Sequence, residues 1–70
     1  MPESILVDKN LTVLEDQLNA EALAIKKYVM YKSQCSDPNL KNICEHAEQM
    51  HRRHFEALFN YLQSHNKPMQ

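Results

Sequence analysis

Apolar residues along this chain recur at intervals of three and four, and the pattern breaks once, at Ser36-Asp37-Pro38. Turned at about 100° per residue, the stretch before the break puts Leu11, Leu14, Leu18, Ile25 and Val29 on one stripe, with Tyr28 at its border. The stretch after it gathers Leu40, Ile43, Cys44, Ala47, Phe55, Leu58, Tyr61 and Leu62 on a second stripe. Asp followed by Pro reads as a helix N-cap with proline at the first helical position, so one helix ends before Asp37 and another begins at Pro38. The spacing predicts helices over about residues 9–34 and 38–65, the first starting between Asp8 and Thr12, where Thr12 and Glu15 have capping-box spacing. Met1 to about Asn10 reads as a short leader, and Asn66-Lys67-Pro68 as the stop of the second helix. With no repeat or linker, the expected fold is all-α, an antiparallel helix hairpin with a tight turn.

Composition narrows the functions open to such a hairpin. The chain has 70 residues and 0 glycines, which excludes phosphate-cradling loops, dinucleotide fingerprints and nucleophile elbows, each needing a backbone position that only glycine tolerates. A formal net charge of −1 gives no footprint for nucleic acid or an anionic membrane. No apolar run approaches the roughly 18 residues of a membrane span. Cys35 and Cys44, nine positions apart, fit neither a CxxC redox motif nor a zinc-ribbon pair. Without a signal-like N-terminus, the chain reads as cytoplasmic with reduced thiols. Its length also falls in the range where a single core seldom suffices, so a disulfide, a metal or a partner chain is expected to complete it.

Candidate chemistry lies where polar residues interrupt the stripes. Glu21 sits in the middle of the first stripe, where a carboxylate must be paired, reach water or bind a cation. In the second helix His51 and His54 lie inside the stripe and Glu48 at its edge, whereas Glu45, His46, Arg52, Arg53 and Glu56 point away as a solvated face. Glu48-Gln49-Met50-His51 is Glu-x-x-His, whose first and last side chains leave a helix on the same side. Counted from the turn, Glu21, Glu48 and His51 all sit roughly 15 to 20 Å along their helices, which brings them to one level in an antiparallel pair. One hairpin thus supplies two carboxylates and an imidazole. Two hairpins related by a two-fold axis supply four Glu and two His, the ligand set of a di-iron four-helix bundle, and the same dimerisation completes the core.

These residues resemble the ferritin-like superfamily in its half-bundle form. Glu21-Ala22-x-Ala24-x-x-x-Tyr28 is similar to the first metal helix of rubrerythrins, and Glu48-x-x-His51 with Phe55 and Leu58 is similar to their second. Encapsulated ferritins are likewise single hairpins that complete a di-iron site between subunits. The resemblance implies a homodimeric four-helix bundle with Glu21, Glu48 and His51 as ligands, two irons per dimer, and ferroxidase or peroxide-reducing chemistry. A second resemblance, to spore-coat F-type proteins, rests on Asp37-Pro38-Asn39-Leu40 and the His-containing helix that follows; it implies a structural, spore-associated role.

A carboxylate-rich site favours iron, while manganese and zinc fit the same ligands. His54 is a candidate additional ligand or a partner orienting a carboxylate, and Tyr28 a candidate hydrogen-bond partner for one. Cys44 reads as a small apolar packing residue. Val13, Ala20, Leu23 and Met30 form a second apolar strip that hints at association beyond the dimer. Three classes remain open at this point: a di-iron oxidoreductase, an iron-binding component of a larger assembly, and a metal-free structural helical protein.

Overall fold

The computed structural model describes residues 8–65. It consists of α1, Asp8–Gln34, and α2, Pro38–His65, packed as an antiparallel hairpin joined by residues 35–37. The expected leader lies mostly, and the expected stop at Asn66-Lys67-Pro68 wholly, outside the described residues. The described part is a rod measuring 53 × 17 × 14 Å. No described residue has a positive φ, so the turn is made without glycine. Asp37 supplies the device that makes this possible. Its Oδ1 accepts from the Asn39 N–H at 2.8 Å, and its carbonyl from the Lys41 N–H at 2.9 Å, which caps α2 behind Pro38. At the other end of the turn the Cys35 N–H donates to the Tyr31 carbonyl at 3.0 Å and closes the last turn of α1. α1 begins about a turn before Thr12, so the capping-box spacing there falls in the helix interior rather than at its start.

The two helices meet along a seam with three- and four-residue steps. On α1 it runs through Leu11, Leu14, Leu18, Glu21, Ile25, Tyr28 and Lys32 and reaches Cys35 just past the helix end; on α2 it runs through Cys44, Glu48, His51, Phe55, Leu58, Leu62 and His65. This is the spacing of an antiparallel coiled coil, 3.5 residues per turn rather than 3.6, and it selects different residues from the broad stripe expected at 100° per residue. Val29, Leu40, Ile43 and Tyr61, expected in the core-facing stripes, are exposed, while Lys32 and Glu48 occupy the seam. Leu14 and Cys44, at 7% and 6% exposure, are the buried apolar residues among those described, and Glu48 at 7% is buried with them. Two helices alone can shield little more than one such line.

The seam divides the outer surface of the rod into two flanks. One carries Lys32, Glu45 and Arg52 with Gln49, Glu56 and Lys26 beyond them. The other carries Val13, Ala20, Ala24 and Tyr31 from α1 and Leu40, Ile43, Ala47, Met50, Ala57 and Tyr61 from α2, with Lys27 the lone formal charge at the corresponding heptad positions. Shared clefts confirm that these residues lie on the same side: Val13 and Tyr61 line one with Leu14 and Leu58, and Tyr31 and Leu40 line another with Cys35 and Cys44. Among the described residues no helix is long and apolar enough to cross a membrane.

If this seam holds the hairpin together, Leu14→Ala lowers unfolding free energy in urea by about 2–3 kcal/mol. Leu23→Ala, on the outer face of α1, changes it by less than about 0.5 kcal/mol. Equal effects would mean that the helices meet along another face.

Candidate metal centre

Midway along the seam, the carboxylate of Glu21 on α1 meets two imidazoles of α2. Glu21 Oε1 accepts from His51 Nδ1 at 2.5 Å, and Oε2 lies 3.5 Å from His54 Nδ1. One ligand atom from each of the three residues can be chosen so that all lie within 4.8 Å of one another. Helix geometry accounts for the grouping: His51 and His54 are three positions apart, nearly one turn, and the antiparallel register brings Glu21 between them. The His51 and His54 rings meet edge to face at 6.1 Å, and Tyr28 stacks on His51 at 5.6 Å and 16°, which fixes the plane of that imidazole. Tyr28 therefore adjoins the cluster through its ring. Burial is graded across the cluster, from Glu21 with 15% of its side chain exposed to His54 with 53%, so it opens on the apolar flank where His54 lies.

A divalent ion with bonds of about 2.0–2.2 Å holds neighbouring donors roughly 3–3.5 Å apart, closer together than the 4.8 Å limit within which these three atoms lie. The donor set, one carboxylate and two imidazoles, suits iron(II) and zinc. An ion entering here takes the place of the Glu21–His51 hydrogen bond.

Glu48, predicted as a ligand beside Glu21 and His51, is engaged elsewhere. Its Oε1 accepts from Lys32 Nζ and its Oε2 from Arg52 Nε, each at 2.9 Å. Lys32 also donates to Glu45 Oε1 at 2.6 Å, and Gln49 Nε2 to Glu45 Oε2 at 2.7 Å. Glu45 and Arg52, expected on a solvated face, thus belong to an ionic network on the flank opposite the apolar one. A buried carboxylate needs such partners, and Glu48 has two cations. The network shifts its own titrations. Hydrogen bonds from Lys32 and then Arg52 hold the Glu48 carboxyl below the ordinary carboxylate range; those from Lys32 and Gln49 do the same for Glu45; and Glu45, with Glu48, raises Lys32.

The sequence signal for Lys32 was present but indirect. Continuing the three-and-four steps from Leu11 through Tyr28 lands on Lys32 and then Cys35, opposite Glu48 and Cys44. The signal for His54 was its place in the stripe, three residues from His51.

The fold and cluster define a helical-hairpin protein carrying a carboxylate–imidazole site open on an apolar flank. Over 63 residues the chain is 35% identical to the uncharacterized protein YuzM of Bacillus subtilis (strain 168), covering 90% of this chain and 78% of that one. It belongs to the YuzM family. No protein-family model matches the chain, and no solved structure matches it.

The ionic network makes stability depend on pH in a defined sense. Glu45 and Glu48 have depressed pKa values in the folded state, so their contribution is present above the ordinary carboxyl value of 4.5 and is lost as pH falls through the lowered values. Lys32 is raised, so its contribution is complete below 10.5 and is lost as pH rises through the raised value. The Tm of the wild type therefore exceeds that of Lys32→Met at neutral pH, and the gap narrows in acid, in strong base and in high salt. A gap unchanged in acid would mean that Lys32 acts through packing of its stem.

Proposed function

We propose that this chain is a transition-metal-binding hairpin that works as a homodimer, with Glu21, His51 and His54 as the ligands in each subunit. The observation that carries this reading is the convergence of the three donors from two helices at the middle of the seam. Dimerisation is read from the flank on which the cluster opens. That flank is broad, apolar and nearly free of formal charge, and a hairpin whose buried apolar side chains among the described residues are Leu14 and Cys44 lacks half a core. A second copy seated there would complete a four-helix bundle in the ferritin-like manner, enclose His54 and bring the two clusters into one interior.

Iron is the ion implied by the family resemblance, and iron with open coordination positions would supply oxidation by dioxygen or peroxide. The chain's own residues then have separate tasks. Glu21 contributes the anionic donor and orients both imidazoles. Tyr28 holds the ring of His51, and the apolar flank excludes water from the covered cluster. Glu48 joins the ligand set only if it leaves Lys32 and Arg52, so the geometry favours the Glu21, His51 and His54 trio over the Glu21, Glu48 and His51 trio.

A second reading rests on a specific observation: among the described residues no buried side-chain polar atom lacks a hydrogen-bond partner. The polar seam is thus satisfied without an ion, as a metal-free structural hairpin of the spore-coat type would require.

Titrating chelator-treated protein anaerobically with iron(II), and separately with cobalt(II) followed by its visible spectrum, distinguishes the readings. Metal binding predicts one ion per chain, a Tm that rises with metal concentration, and a dimeric mass on sizing. His51→Ala and His54→Ala each weaken binding by more than about 10-fold, whereas Glu48→Gln retains it. Loss of binding in Glu48→Gln with retention in His54→Ala would restore Glu48 as the ligand. A Tm indifferent to both ions and chelator would establish the metal-free reading.

A further inference from the structure

The seam ends at the turn with a pair of facing sulfurs. Cys35, the first residue after α1, ends it on one side of the turn and Cys44 of α2 begins it on the other, and both residues line one cleft with Tyr31, Gln34 and Leu40. We infer that Cys35 and Cys44 form a peroxide-sensitive thiol pair that closes to an intramolecular disulfide across the hairpin turn.

Three features of the local structure support this assignment. The two residues line the same cleft at the turn, and the Cys35 side chain is near enough to perturb the Cys44 thiol directly, the proximity that a bridge needs. The pair is held on both sides of the turn by backbone structure, through the Cys35 N–H bond to Tyr31 and the Asp37 cap on α2. Finally, the two thiols differ in access: Cys35 is half-buried and Cys44 is 6% exposed. Burial pushes the Cys44 thiol up, and the Cys35 sulfur beside it adds to the push. Cys44 therefore keeps its proton while Cys35 meets the oxidant.

The chemistry balances with a peroxide as the named co-reactant. The Cys35 sulfur attacks one peroxide oxygen, the O–O bond breaks, and the departing hydroxide takes the former thiol proton to leave as water. The sulfenic acid so formed on Cys35 is attacked by the Cys44 sulfur. The S–O bond breaks, the S–S bond forms, and hydroxide leaves with the Cys44 proton as a second water. The two thiols together lose two electrons and the peroxide gains them. The ring closed is ten residues long and contains the whole turn, so oxidation fastens the end of the hairpin and restricts the unfolded chain.

This inference stands apart from metal binding, and its test is run on protein kept in a chelator. Dilute hydrogen peroxide should remove two hydrogen atoms from the intact monomer and abolish alkylation of both thiols. Peptide mapping should place the bond between Cys35 and Cys44, and a dithiol should reverse it. The oxidised monomer should melt roughly 10 °C higher than the reduced one. Cys35→Ser should leave Cys44 unoxidised, and Cys44→Ser should leave Cys35 as a sulfenic acid that a dimedone-type reagent captures. A covalent dimer, sulfinic or sulfonic products in the wild type, or two thiols still open to alkylation after peroxide would overturn the assignment. The wild-type mass and mapping decide the matter even if a serine variant does not fold.

Discussion

Two helices in contact can shield only one line of side chains from water, and in this hairpin that line is not wholly apolar. Leucines and Phe55 fill the half farther from the turn. Glu21, Tyr28 and Lys32 on α1, and Glu48 and His51 on α2, occupy the middle and the half nearer the turn. Each polar group on a seam must find its partner across it, because a charge enclosed without one costs several kcal/mol. The pairs Glu21–His51 and Lys32–Glu48 meet that requirement and set the register of the helices. A shift of one helix by a turn would separate both pairs and expose the leucines beyond them.

From the same constraint follows the difference between the two flanks. Lys32, Arg52, Glu45 and Glu48 neutralise one another along one side, whereas Glu21 extends toward His54 on the other. The apolar flank is thereby left nearly uncharged, with a carboxylate and two imidazoles at its centre. Covering this flank with a second copy would remove water from the cluster. Lower local polarity strengthens the attraction between its donors and a bound cation. In the proposed dimer, completion of the core and closure of the site would be one event.

Much of this was legible in particular residues. Asp37 and Pro38 marked the turn because a capping side chain and a fixed φ act locally, whatever the rest of the chain does. Glu21 and His51 were readable as neighbours, since helical rise alone places them at matching distances from that turn. Glu48 was not readable in the same way. It sits at the boundary between the seam and the ionic flank, within reach of His51 on its own helix and of Lys32 on the other. Its local spacing permits either choice.

The sequence by itself determined the two helices, the place of the turn, the antiparallel pairing and the level at which Glu21 meets α2, because helix geometry and capping are properties of neighbouring residues. Only the tertiary structure decided that the seam follows a 3.5-residue repeat through Lys32 and Glu48, that Glu48 turns to Lys32 and Arg52, and that His54 is the third member of the cluster. Those outcomes depend on which side chains the opposing helix presents, and a periodicity within one helix carries no record of what stands across from it.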